Sequence, residues 1–178
     1  GVGRLTSAEA YTGTGWTTLP PLPHAAAMPT ACVLNGRLHV MGGYQCDKHQ
    51  VLEMTEENGL AWTVKAEMPA TRFAAASTVF QAKSWVMGGL GDEGQDRAGS
   101  ASVFVYDAED DAWATASPLP YAVAGLRSSP QLNSNGEIVI VVDDNSAFRL
   151  DRQTSQWVTD GGLRIEHAPT NPRALLLG

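Results

Sequence analysis

The sequence predicts an all-β fold assembled from repeats of one four-stranded antiparallel unit, and two observations carry that prediction. Three landmarks recur at a fixed offset: Pro23, Gly42-Gly43 and Trp16 are matched 46 residues later by Pro69, Gly88-Gly89 and Trp62. A period of that length belongs to repeat architectures. Within one period, short β-branched or aromatic runs alternate with polar turn residues, as antiparallel strands joined by hairpins require. The repeated scaffold is set by packing, so chemistry must be sought in the loops that differ between repeats.

The second unit shows the plan most fully. Ala74 to Val79 reads as a first strand, Gln81 to Ser84 as a polar turn, and Trp85-Val86-Met87 as a second strand ended by Gly88-Gly89. After a longer polar loop, Ser102-Val103-Phe104-Val105-Tyr106 reads as a third strand. Asp107 to Asp111 supplies turn chemistry through side chains that bond nearby backbone, and Ala112 to Thr115 is the fourth strand. The first unit overlays without a gap over its first half, Val33 to Gly43 falling on Val79 to Gly89, and its Asn35-Gly36 is a hairpin-turn signal.

At these residues the chain resembles the kelch-repeat family, whose unit ends its second strand in a glycine doublet, carries Tyr-Asp on its third, and opens its fourth with a Trp. Gly88-Gly89, Tyr106-Asp107 and Trp113 give that pattern in order, and Arg72 stands where kelch units commonly place an arginine after a proline. The third unit is eroded: Val142-Asp143-Asp144 replaces the doublet and Leu150-Asp151 replaces Tyr-Asp ahead of Trp157. The first has Glu53-Met54 in place of Tyr-Asp. Erosion of this kind is tolerated because a blade needs apolar volume and a turn more than one particular residue.

The resemblance implies a kelch-type β-propeller, four-stranded blades set radially around a channel. At roughly 50 residues per unit, the chain supplies about three and a half blades of an incomplete ring. The expected units are 1–20, the last strand of a preceding blade; 21–66 and 67–117, kelch blades; 118–162, a degenerate blade; and 163–178, the first strand of a further blade. Glu9 to Thr18 is read as that last strand alone, and Pro172 to Leu177 as that first strand. Uncovered blade faces and strand edges promote association, so the expectation is a segment of a longer chain, or a ring completed by another chain or copy.

Composition bounds the function classes. With 43% hydrophobic and 17% charged residues the chain can build a packed core, and no run approaches the length of a membrane-spanning helix. The 12 basic residues against 19 acidic ones, a net charge of −7, disfavour general nucleic-acid binding, which draws on a surplus of Lys and Arg. Gly1 to Arg4 is followed by no apolar signal core, and only two cysteines and no Asn-x-Ser/Thr sequon occur. These point to a cytoplasmic, intracellular setting.

The candidate chemical sites mostly reduce to structure. Cys46 and His49 give half of a zinc spacing, but a structural zinc needs four ligands and no second pair follows. Cys32 reads as a small core residue and His39, at the position of Trp85 in the next unit, as a packed histidine. His24 and His167 have no aligned acid or nucleophile, and neither do Ser77 and Ser128. The acidic loop Gly91 to Asp96 lacks the alternating oxygens and terminal Glu of a calcium loop. No catalytic, cofactor-binding or metal-binding residue is assigned.

Arg72, Arg127 and Arg173 stand out, because each opens an expected innermost strand. In a kelch-type propeller they would face one mouth of the channel, where a guanidinium can pair with a neighbouring blade or take a carboxylate bidentately from a ligand. The loops Tyr44 to Gln50 and Leu90 to Ala101 would flank that mouth, which brings Tyr44, Asp92 and Glu93 into the expected partner-binding set. The resemblance therefore implies a non-catalytic adaptor or scaffold that binds a peptide or subunit. Its alternatives are a structural subunit of a large complex, and a kelch-propeller enzyme acting on sugars through Glu137 and the arginines.

Overall fold

A computed structural model of the chain describes residues 3–57, 59–91, 99–124, 130–142 and 146–159. Among these, fourteen strands form one two-stranded and three four-stranded antiparallel sheets. The pair is β1 (Ala8–Tyr11) and β2 (Trp16–Leu19). The first full sheet runs β3 (Thr30–Leu34), β4 (Arg37–Met41), β5 (His49–Thr55), β6 (Gly59–Lys65). The second runs β7 (Ala76–Phe80), β8 (Lys83–Met87), β9 (Val103–Asp107), β10 (Ala112–Ala116). The third runs β11 (Gln131–Leu132), β12 (Ile138–Val141), β13 (Ala147–Leu150), β14 (Trp157–Thr159).

The turns follow backbone handedness. Asn35 and Gly36 both take positive φ, 51° and 72°, between the paired residues Leu34 and Arg37. Gln81 and Ala82 adopt the same left-handed pair, 51° and 57°, between Phe80 and Lys83, although neither residue favours it. The second strand of that hairpin accordingly starts two residues ahead of the expected Trp85.

One expectation fails. Glu9 to Thr18 is not a single strand but the hairpin β1–β2, with Tyr11 paired to Trp16. Gly13 at φ 90° lets the chain reverse, and both the amide and the hydroxyl of Thr12 donate to the Gly15 carbonyl. The expected loop Tyr44 to Gln50 is also shorter, since β5 already begins at His49. Pro172 to Leu177 lies outside the described residues, as do Asp143 and Asp144.

The core lies between sheets, and the strands inside each sheet reach it on both faces where packing is densest: β12 and the first four residues of β9 are buried throughout. One cluster joins Phe80, Met87 and Val103 to Ile138, Ile140 and Phe148; another joins Met41 and Met68 to Val86 and Phe104. Successive sheets are also tied by polar contacts near the first strands, Thr30 Oγ1 donating to Ser77 Oγ at 2.6 Å and Ser77 Oγ to the Ala31 carbonyl at 2.9 Å.

The glycine doublets do more than end a strand. A Cβ on Gly42 would lie 2.5 Å from the Arg72 carbonyl oxygen, and one on Gly89 would lie 2.8 Å from Ala75 and the Phe73 carbonyl. Gly43 N–H donates to the Arg72 carbonyl at 2.8 Å. Each doublet is thus the point where a sheet touches the linkers entering its own first strand and that of the next sheet. Val142 holds the first doublet position in the third sheet and keeps the same strand-end bond, its N–H donating to Ser146 O as Gly88 N–H donates to Ser102 O.

Candidate partner-binding face

The linkers and the loops between second and third strands share one end of the sheets. Arg72 sits there at the close of the linker before β7, half-buried rather than extended into solvent. Its Nε donates to Ser102 Oγ at 3.1 Å, its Nη1 donates to the Thr71 carbonyl at 2.7 Å, and its Cζ lies 5.4 Å from the centroid of the Phe104 ring. Stacking and two hydrogen bonds fix the guanidinium plane. Gly91 leaves space beside it, since a Cβ there would approach Nη1 to 3.1 Å.

Tyr44 reaches the same end. Its N–H donates to the Ala27 carbonyl, and its ring meets Phe73, the neighbour of Arg72, edge-on at 5.3 Å. Of the expected set, the structure therefore brings together Arg72 and Tyr44. Arg127, Arg173, Asp92 and Glu93 lie outside the described residues. Glu137 belongs to the opposite end, at the β11–β12 turn, where it accepts from Asn133 Nδ2 at 2.9 Å and pairs with Arg149 at 2.7 Å. Those two partners hold its carboxyl below the usual range.

Beside Tyr44 a cleft of about 260 Å³ opens between the start of the chain and the β4–β5 loop, lined by Arg4, His24, Cys46 and Lys48 among others. Gln50, fully buried, shapes it: its amide accepts from His24 N–H at 2.7 Å and donates to His24 O at 3.0 Å, acting as a strand partner for the linker. Lys48 is paired with Glu67 and Asp47. The signal for Gln50 was weak, a polar residue at the edge of an expected loop.

Cys46 lines this cleft, whereas His49 turns inward, so the two do not converge. His49 is buried against the Tyr106 ring at 4.2 Å and the Trp113 ring at 5.5 Å, and its Nε2 lies 2.9 Å from Nδ1 of the buried His39. One ring N–H lies between these two nitrogens, so one histidine donates and the other accepts. The other ring nitrogen of His49, Nδ1, is buried with no hydrogen-bond partner among the described residues. Desolvation, with His39 beside it, pushes the His49 pKa down to about 3. Burial likewise raises the Cys32 thiol, 3.2 Å from Ser84 Oγ. Among the described residues no three His, Cys, Asp or Glu side chains gather as a metal site would need.

The tryptophans repeat one contact that the sequence pattern did not reveal. Trp62 Nε1 donates to the Pro20 carbonyl at 2.7 Å, Trp113 Nε1 to Ala66 at 2.9 Å, and Trp157 Nε1 to Ser117 at 3.0 Å. In every case the acceptor is the first residue beyond the last strand of the preceding sheet. Sequence relatives of the chain are named for kelch repeats. The chain is built of kelch repeats.

It is 28% identical over 132 residues to Kelch repeat and BTB domain-containing protein 12 of Danio rerio, covering 66% of this chain and 21% of that protein. It is 32% identical over 127 residues to human Kelch-like protein 35, covering 70% of this chain and 21% of that protein. The chain thus spans about a fifth of the length of these relatives. No protein-family model matches it. Among solved structures, that of YjhT superposes with a TM-score of 0.65 over 80% of this chain and 53% of the other, at 18% identity. This likeness supports the fold, a partial kelch propeller.

Proposed function

We propose that these kelch repeats form a non-catalytic protein-interaction module, an intracellular adaptor or scaffold, that receives a peptide or subunit on the face bearing Arg72 and Tyr44. The observation that carries this reading is the immobilised Arg72 guanidinium. It is held by Ser102, Thr71 and Phe104 beside a glycine, so its place on this face is set before a partner arrives and little side-chain freedom is lost on binding. Arg127, Arg173, Asp92 and Glu93 join this face by their places in the repeat, and the repeat units 21–66, 67–117 and 118–162 are its blades. Relatives named for kelch repeats and BTB domains support an interaction role.

The test is binding of an array of acidic peptides to the native protein, with Arg72→Ala and Arg72→Lys. The expected result is a loss of about tenfold or more in affinity for both, since Lys cannot reproduce the planar fork, at unchanged circular dichroism. Equal binding by all three proteins would refute the assignment.

A further inference from the structure

We propose that the cleft between the start of the chain and the β4–β5 loop is a subsite for one carboxylate, the acidic side chain of a protein partner, with Arg4 as its cation and His24 as a second donor. The inference rests on the peptide-receiving role of this face and adds an anchor separate from Arg72. Backbone pairing places Arg4: Leu5 N–H donates to the Ala26 carbonyl and Ala26 N–H to the Leu5 carbonyl, both at 3.0 Å, which lays the chain start along the linker that carries His24. One N–H of the Arg4 guanidinium donates to the Gln45 carbonyl at 3.1 Å. Among the described residues no carboxylate pairs with it, so most of its five-donor fork is open.

The cleft is built rather than incidental. Gln45 lies in a tight turn, closed by Cys46 N–H donating to the Gly43 carbonyl at 3.1 Å, and takes φ 51°, a left-handed backbone that glycine or asparagine holds more easily. The same turn carries both arginines: Gly43 N–H holds the Arg72 carbonyl, and the Gln45 carbonyl holds the Arg4 side chain. Across the cleft, the buried Gln50 amide takes both backbone groups of His24, whose exposed ring has no hydrogen-bond partner among the described residues. Size and charge then select the occupant. A volume of about 260 Å³ lies below the roughly 300 to 1,000 Å³ of ligand and cofactor pockets and suits a single side chain. Two cations and one carboxylate line it, Arg4 and Lys48 against Asp47, a surplus of one positive charge. Lys48 is committed to Asp47 at 3.3 Å and to Glu67, which leaves the surplus on Arg4. A carboxylate brings one charge and two acceptor oxygens to a guanidinium. A phosphate group brings nearly two charges and would set one against Asp47.

The experiment titrates the native protein with N-acetyl-glutamate methylamide, a single acidic side chain without free termini, and follows the His24 ring by nitrogen-15 NMR. The expected result is a saturable shift that the glutamine analogue does not produce. Arg4→Ala is expected to weaken the binding about tenfold or more, while Arg72→Ala leaves it unchanged. An equal response to the glutamine analogue, unchanged binding by Arg4→Ala, a response lost in Arg72→Ala but kept in Arg4→Ala, or inorganic phosphate binding at least tenfold tighter than the blocked glutamate would each overturn the proposal. Those failures leave the Arg72 assignment standing, and failure of the acidic-peptide array leaves this titration readable, because the blocked amino acid needs no partner.

Discussion

Replacing Gly42 by alanine tests whether the doublet sets the approach of successive blades or only ends a strand. Gly42 has φ 68°, and so does its control almost, since Gly36 has φ 72° and Gly59 φ 67°. Left-handed backbone costs an alanine about 1 kcal/mol at any of the three. The surroundings differ: a Cβ on Gly36 or Gly59 meets nothing within 4 Å, whereas one on Gly42 meets the Arg72 carbonyl oxygen at 2.5 Å and Met68 Sδ at 3.2 Å. Backbone cannot swing aside like a side-chain tip, so the linker must move, and the Gly43 N–H to Arg72 O bond of 2.8 Å is strained or lost. A buried hydrogen bond lost with its donor unpaired adds about 1 to 3 kcal/mol. Gly42→Ala is therefore expected to cost about 2 to 4 kcal/mol in urea unfolding, against about 1 kcal/mol for Gly36→Ala and Gly59→Ala. Equal losses for all three would refute the doublet's role as an inter-blade spacer.

Further outcomes rest on particular contacts. Trp113→Phe, which keeps the ring but removes the donor to Ala66 O, is expected to cost about 1 to 2 kcal/mol. Trp113→Ala should cost about 3 to 5 kcal/mol, and a loss below about 1 kcal/mol in denaturant titration would discard its packing role. Because the folded pKa of His49 is depressed to about 3 from an ordinary 6.5, the unfolded chain binds the extra proton between those values. Stability is then complete above pH 6.5 and falls with pH; from pH 7 to 5 the loss from His49 is about 2 kcal/mol. The lowered carboxylates, Asp111 and Glu137 among them, act below that window. A flat urea midpoint across it would contradict the buried neutral state. Finally, Gln81→Asn with Ala82→Gly places favoured residues in the left-handed turn and is expected to raise stability by about 1 kcal/mol; an unchanged or lowered thermal midpoint would argue against the turn.

Much of the fold was legible because its signals are local. Asn35-Gly36 names a turn through the φ values only such residues take easily, and Ile138 to Val141 names a buried strand through apolar continuity. The β1–β2 hairpin was missed because Thr12 to Gly15 has no strong turn dipeptide, and the reversal rests on one glycine and a threonine's bonds to the Gly15 carbonyl. The site was half legible. The position of Arg72 follows from its place in the repeat, but its fixed guanidinium depends on Ser102, just before β9 and 30 residues on, and on Phe104 within β9.

The sequence by itself determined the repeat, the four-stranded unit and the resemblance to kelch repeats, since strand period and turn handedness are properties of a few adjacent residues. Only the tertiary structure decided how one blade grips the next. The acceptors for Trp62, Trp113 and Trp157, and the atom that forbids a Cβ on Gly42, are backbone carbonyls. Every residue carries that group, so no residue type announces which carbonyl will be used, and the choice emerges only when the sheets pack.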